Sequence, residues 1–210
     1  MRLIELRGLA LYLLVVLTAT LAQRVNDAFI FAFLCACLVL PLFAGETRSL
    51  AQTLALRRAG WIIASLLAIG SFVVLYAANW ITVKVYWGTI LLQPALESQI
   101  AFCARQFAIY LPLAFAEEFF FRGFLQETVF AARWGERGWR FITRKNVAAS
   151  ALFGLAHIIS HASLLELPRV LSGVILGRVV ERSARSILPA TFLHAASNVA
   201  VAWAQSLMVR

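Results

Sequence analysis

AEEFFFRG, residues Ala116 to Gly123, sets two carboxylates and a guanidinium inside one of the most apolar stretches of the chain. Reading outward, the apolar run extends from Ile100 to Ala132, longer than the roughly 20 residues a helix needs to cross a bilayer. It shows no period-2 alternation, so it reads as a helix rather than a barrel strand. Pro112 interrupts its hydrogen-bond ladder and predicts a bend just before the two glutamates.

The rest of the 210 residues has the same character: 62% are hydrophobic and 14% charged, with a mean hydropathy of +0.83. Those values exclude an ordinary soluble domain. The apolar runs predict an all-α polytopic membrane bundle of about seven crossings, with six to eight compatible. They fall at 3–22, 29–44, 60–79, 100–132, 147–165, 170–180 and 187–209. The sixth is short and holds Gly173, Gly177 and Arg178. Residues 80–98, with three aromatics and a lysine, read as an interfacial segment. Residues 1–98 thus form N-terminal membrane helices with that segment, and 99–210 a second, polar-bearing helical core of the same membrane unit.

Lysine and arginine favour cytoplasmic loops, and they alternate here. Arg2 and Arg7 precede the first span; Arg48, Arg57 and Arg58 fill the second loop; Arg133, Arg137, Arg140, Arg144 and Lys145 fill the fourth; Arg182 and Arg185 the sixth. The other loops carry Arg24, Lys84 and Arg169. The pattern predicts a cytoplasmic N-terminus and, with seven spans, an external C-terminus. The net charge of +9 is therefore a topology signal and not a nucleic-acid footprint. Lipid headgroups are the expected contact of these arginines. Cys35, Cys37 and Cys103 fall within spans and read as free apolar fillers.

Ionisable groups at membrane depth are functional candidates. Those within the spans are Arg105, Glu117, Glu118, Arg122, Glu127, His157, His161, His194 and Asn198. Glu118 and Arg122, four apart, share a helical face as a local ion pair. Such a pair can be structural alone. Glu117 points about 100° away and has no local basic partner, so it is free to take and return a proton. His157 in FGLAH and the pair His194 and Asn198 in HAASN reach similar depth on two further helices. A carboxylate, two imidazoles and an amide can activate water and hold an oxyanion. Singly, each is more often an interhelical hydrogen-bonding group; their convergence carries the reading. His161 shares a face with His157, but Ile158 stands where a zincin helix places its glutamate. Glu127 and Arg105 read as bundle or interface residues.

Three motifs, EEFFFR (117–122), FGLAH (153–157) and HAASN (194–198), resemble the E-E-x-x-x-R, F-x-x-x-H and H-x-x-x-N signatures of the CAAX-protease and bacteriocin-processing (CPBP, or Abi) family of intramembrane endopeptidases. The likeness spans about the C-terminal half. It implies a glutamate-dependent intramembrane protease with a cavity open to the cytosol and bilayer. In that resemblance Glu117 and His157 activate water, His194 and Asn198 hold the oxyanion, and Glu118 and Arg122 orient the site. No cofactor is required by that scheme; zinc held by Glu117, His157 and His194 is the alternative. The implied partners are a membrane protein or peptide substrate and the bilayer, in a bacterial inner membrane. A transporter or non-enzymatic scaffold, including an immunity protein, is the competing class, although no internal repeat of the kind transporters show is present.

Overall fold

A computed structural model of the chain describes residues 3–25, 29–43, 53–54, 66, 70, 96–139 and 141–206. Among them the architecture is all-helical, with one isolated bridge between Gly138 and Thr143. Helix α1 (Leu3–Arg24) is followed by α2 (Phe29–Phe43) and α3 (Leu96–Glu118). The last continues unbroken as a π-helix (Phe119–Phe130) and α4 (Ala131–Trp134). Then come α5 (Arg144–His161), a 3₁₀ turn (Leu164–Glu166), α6 (Arg169–Arg182) and α7 (Leu188–Ser206). Six of the seven expected spans are thus matched by helices with ends within a few residues of the expected ones. The span at 60–79 and the interfacial segment lie, apart from isolated positions, outside the described residues. Two helices, Leu3–Arg24 and Ser98–Trp134, are long and apolar enough to cross a membrane, and Phe29–Leu42 is apolar but shorter.

Pro112 lies inside α3, where a bend was expected. On either side of it Glu118 reaches His194 at 3.0 Å and Phe107 packs its ring on Phe192 with centroids 5.4 Å apart, so α3 lies across α7. The π-helix beginning at Phe119 was not expected. Its wider turn is marked by Thr128 Oγ1 donating to the carbonyl of Gly123, five residues back, at 3.2 Å.

The three phenylalanines of AEEFFFRG divide between two cores. Phe120 and Phe121 pack with Tyr12, Val15, Phe124 and Phe153, whereas Phe119 packs with Leu176, Val179, Val180, Ile187 and Leu193. The segment is a wedge between two apolar clusters rather than a single wall. The glycines of α6 explain why so short and polar a helix fits. A Cβ on Gly173 would stand 3.0 Å from Ser150 Cβ, and one on Gly177 would collide with Asn146. Without side chains there, α6 approaches α5 and the π-helix closely.

Two ends of the bundle can be told apart. At one, Glu5 pairs with Arg133 at 3.0 Å, and Lys145 and Arg185 both reach Glu136. Thr143 caps α5 there, accepting from the backbone N–H of Asn146 at 3.2 Å. At the other, Arg24 donates to the C-terminal carbonyls of α5, to Ile159 at 2.6 Å and to Ser160 at 3.1 Å.

Candidate active site

The last two residues of α3, one turn of α5 and the middle of α7 bring Glu117, Glu118, His157 and His194 together. Glu117 Oε2 lies 3.7 Å from His194 Nε2 and 4.0 Å from His157 Nε2. That oxygen is buried and, among the described residues, has no hydrogen-bond partner. The expectation that Glu117 is left for the histidines while Glu118 is engaged matches this geometry. Glu118 is fully buried, with Oε2 accepting from Arg122 Nε at 3.3 Å and Oε1 facing His194 Nδ1 at 3.0 Å. A carboxylate accepts only, so His194 carries its proton on Nδ1 in this pair. His157 Nδ1 likewise sits 2.9 Å from the carbonyl of Phe153, which requires an Nδ1–H donor and leaves Nε2 bare toward Glu117.

The gaps around Glu117 Oε2 are too long for direct hydrogen bonds and of the length a single water bridges. Space is available. A cavity of about 130 Å³ is lined by Glu117, His157, Phe121, Ala22, Gln23 and His161, among others. A second, of about 50 Å³, lies on the far side of His194 and is lined by Asn198, Ser197, Ser172, Arg169 and Phe153. The structure therefore brings Glu117, His157 and His194 into one cluster and leaves Asn198 next door. Its half-buried amide has no hydrogen bond to any described residue in this set.

Phe153 is the floor. Its ring packs on His157 with centroids 4.5 Å apart, edge-on to His194 at 5.7 Å, and against Phe121, with the Arg122 guanidinium over it at 5.2 Å. Beneath it Arg122 Nη1 donates to Ser150 Oγ at 3.3 Å, and Ser150 donates to Asn146 Oδ1 at 3.0 Å. Arg169 was read as a loop charge. It pairs with Glu166, lines the smaller cavity, and acts electrostatically on Glu117, His157 and His194. It stands first in α6, where position in the sequence did not mark it apart from a loop arginine. His161 is the exposed last residue of α5, its ring stacked parallel to that of His157 at 6.1 Å. Glu127 is ion-paired with Lys145 at 3.0 Å, as a bundle residue would be, and Arg105 lies exposed on α3.

Among the described residues no group of three histidine, cysteine, aspartate or glutamate side chains is placed to hold a metal ion.

An all-helical bundle with this buried carboxylate and histidine cluster is matched, over residues 99–200, by a family of endopeptidases. The family is the Rce1-like one, type II CAAX prenyl endopeptidase, and residues 99–200 of the chain match it. The match contains all three motifs. Neither a curated protein nor a solved structure matches the chain.

Proposed function

We propose that the protein is a glutamate-dependent intramembrane endopeptidase acting on a membrane-associated protein or peptide near one terminus. The observation that carries the reading is Glu117 Oε2, buried and unpartnered between two imidazole nitrogens. A water in the larger cavity donates one hydrogen to Glu117 and one to the bare Nε2 of His157, which turns its lone pair toward a carbonyl carbon. Glu117 takes the proton as the water oxygen bonds to that carbon, then returns it to the leaving amine nitrogen as the C–N bond breaks. His194 is fixed through Nδ1 by Glu118, which leaves its Nε2–H 3.7 Å from Glu117 Oε2, beside the attacking water. That Nε2–H, with the amide N–H₂ of Asn198 one turn further along α7, stabilises the oxyanion formed on the same carbon. Arg122 keeps Glu118 ionised and pointed at His194.

A proton or ion path needs no oxyanion donors beside its carboxylate, which favours the protease over the transporter reading. The test is Glu117→Gln in purified detergent-solubilised protein, against a membrane peptide library read by mass spectrometry. Cleavage is lost while peptide binding persists; retained cleavage would overturn the assignment. A metal-free mechanism also predicts that activity survives exhaustive chelation, and restoration by zinc alone contradicts it. With the spans expected from sequence, the same reading places the chain as a seven-crossing protein of the bacterial inner membrane with its N-terminus inside.

A further inference from the structure

The arginine-rich end of the bundle, where α5 begins and α6 stops, holds Arg133, Arg137, Arg144, Arg182 and Arg185. Arg169 stands apart from them. It begins α6 at the opposite end, and it lines the smaller cavity together with Phe153, Ser172, His194, Ser197 and Asn198. His194 and Asn198 are the oxyanion donors of the proposed reaction, so a substrate held by them has part of its chain against the wall that Arg169 forms.

The chemistry of that wall is specific. Ser172 and Ser197 spend their protons within their own helices, on the carbonyls of Arg169 at 2.9 Å and Leu193 at 2.8 Å. No carboxylate is among the described residues that line the cavity. Arg169 is bonded on one edge: its Nε donates to Glu166, and neither terminal nitrogen donates to any described residue. A guanidinium presents five N–H donors in a fixed fork, and the two terminal nitrogens match the two oxygens of a carboxylate. Glu166 therefore holds the fork without filling it. The side chain is 36% exposed, so an incoming group can reach it. Its charge is felt inside the bundle, at Glu117, His157 and His194, where a headgroup on the outer surface would not meet it. The cavity measures about 50 Å³, and a water needs roughly 10–15 Å³ of such space, which leaves room for a group the size of a carboxylate with its attached carbon.

Resting on the endopeptidase reading, we propose that Arg169 is a specificity-determining residue that binds a carboxylate of the substrate beside the oxyanion donors. The carboxylate is either the free C-terminus of a short leaving segment or the side chain of an aspartate or glutamate flanking the cleaved bond. Held there, it fixes which carbonyl comes to lie between Glu117 and His194.

The experiment uses the full chain carrying Glu117→Gln, purified in detergent, and an apolar peptide library prepared with free or amidated C-termini, each with and without one acidic residue near the end. Retained peptides are identified by mass spectrometry. Peptides bearing a carboxylate are expected to bind about tenfold or more tighter than amidated neutral ones, the scale of a hydrogen bond to a charged group. Preference for free acids over amides assigns the terminal carboxylate; equal preference for amidated peptides with an acidic residue assigns the side chain. Adding Arg169→Gln should bring carboxylate-bearing peptides down to the level of neutral ones, and Arg169→Lys should restore part of the difference. Equal binding of all forms by the protein that retains Arg169, or a preference that survives Arg169→Gln, overturns the proposal. In the active chain Arg169→Gln should raise KM for carboxylate-bearing peptides about tenfold; a fall in kcat shared by every peptide, with KM unmoved, would mean that Arg169 acts on the imidazoles and not on substrate, and overturns it too. The binding arm needs no turnover, so its failure is separate from failure of the protease reading, which loss of cleavage in Glu117→Gln tests.

Discussion

Two clusters of charge sit on the same pair of helices, and they differ in what they leave unused. Near the arginine-rich end, Glu127 and Glu136 are answered by Lys145 and Arg185, with Lys145 Nζ 3.0 and 2.7 Å from the two carboxylates. Gln126 donates to the remaining Glu127 oxygen at 3.1 Å. Some 10 residues away along α3 and α5, Glu117 has no such partner, and the nearest nitrogens stand off by 3.7 and 4.0 Å. A buried charge with its valences filled holds helices in register; one held short of its partners keeps room for a reacting molecule.

The contrast breaks most readily at Glu117. Glu117→Gln removes the base while retaining shape, so turnover should drop by about 10²–10⁴-fold, the range for a general base. Thermal unfolding in detergent should hardly move, because no hydrogen bond to Oε2 is lost. If melting falls together with activity, Glu117 belongs with the structural cluster and the distinction fails.

Lys145 is the converse. Lys145→Met leaves the buried Glu127 with Gln126 on one oxygen and, among the described cations, only Arg185 Nε at 3.5 Å. The expected loss is about 3 kcal/mol of stability, the lower end for a broken buried pair, with turnover per folded molecule unchanged. Lys145→Met combined with Glu127→Gln should recover much of that loss, since the uncompensated charge goes with it. Denaturation and active-site-normalised rates on the three variants separate the outcomes; no recovery in the double variant would mean that Lys145 acts through packing.

A smaller effect is expected where the clusters meet. A Cβ at Gly173 would lie 3.0 Å from Ser150 Cβ and 3.2 Å from Arg122 Nη2. Gly173→Ala should cost about 1–3 kcal/mol through overpacking. It should also slow turnover modestly by disturbing the Arg122–Glu118–His194 chain; melting and turnover measured on the same preparation check both.

How far the sequence carried this comparison depends on which residues are asked about. Helix ends were legible because apolar runs end at charges and caps, as at Thr143 and Arg182. The partnering of Glu118 with Arg122 was legible because four-residue spacing puts them on one face. Lys145 was misplaced for an equally physical reason. Counting basic residues treats every lysine between spans as a loop charge, yet this one begins α5 and is 0% exposed beneath Glu127. The π-helix was invisible, since nothing in FFFRGFLQETVF distinguishes a wider turn from an ordinary one. Asn198 stood in the motif with His194, but only coordinates show it facing a different cavity from Glu117.

The smallest predicted effect lies at the exposed edge of the filled cluster and concerns Glu136. Burial pushes its carboxyl upward, but the hydrogen bond and charge of Lys145, and then those of Arg185, outweigh burial and hold it below the usual carboxylate range. A group whose pKa is lower folded than unfolded contributes stability above its unfolded pKa and loses it as pH falls through the folded one. Glu136 is more than half exposed, so screening keeps the contribution small. Glu136→Gln should therefore lower stability slightly at neutral pH and flatten the acid limb of the stability profile, with the two proteins converging as the carboxyl protonates. The comparison is made by melting in detergent from neutral to acid pH. A constant offset between the curves at every pH would show that Glu136 works through its contacts and not its charge, and would shrink the filled cluster to Glu127 and Lys145.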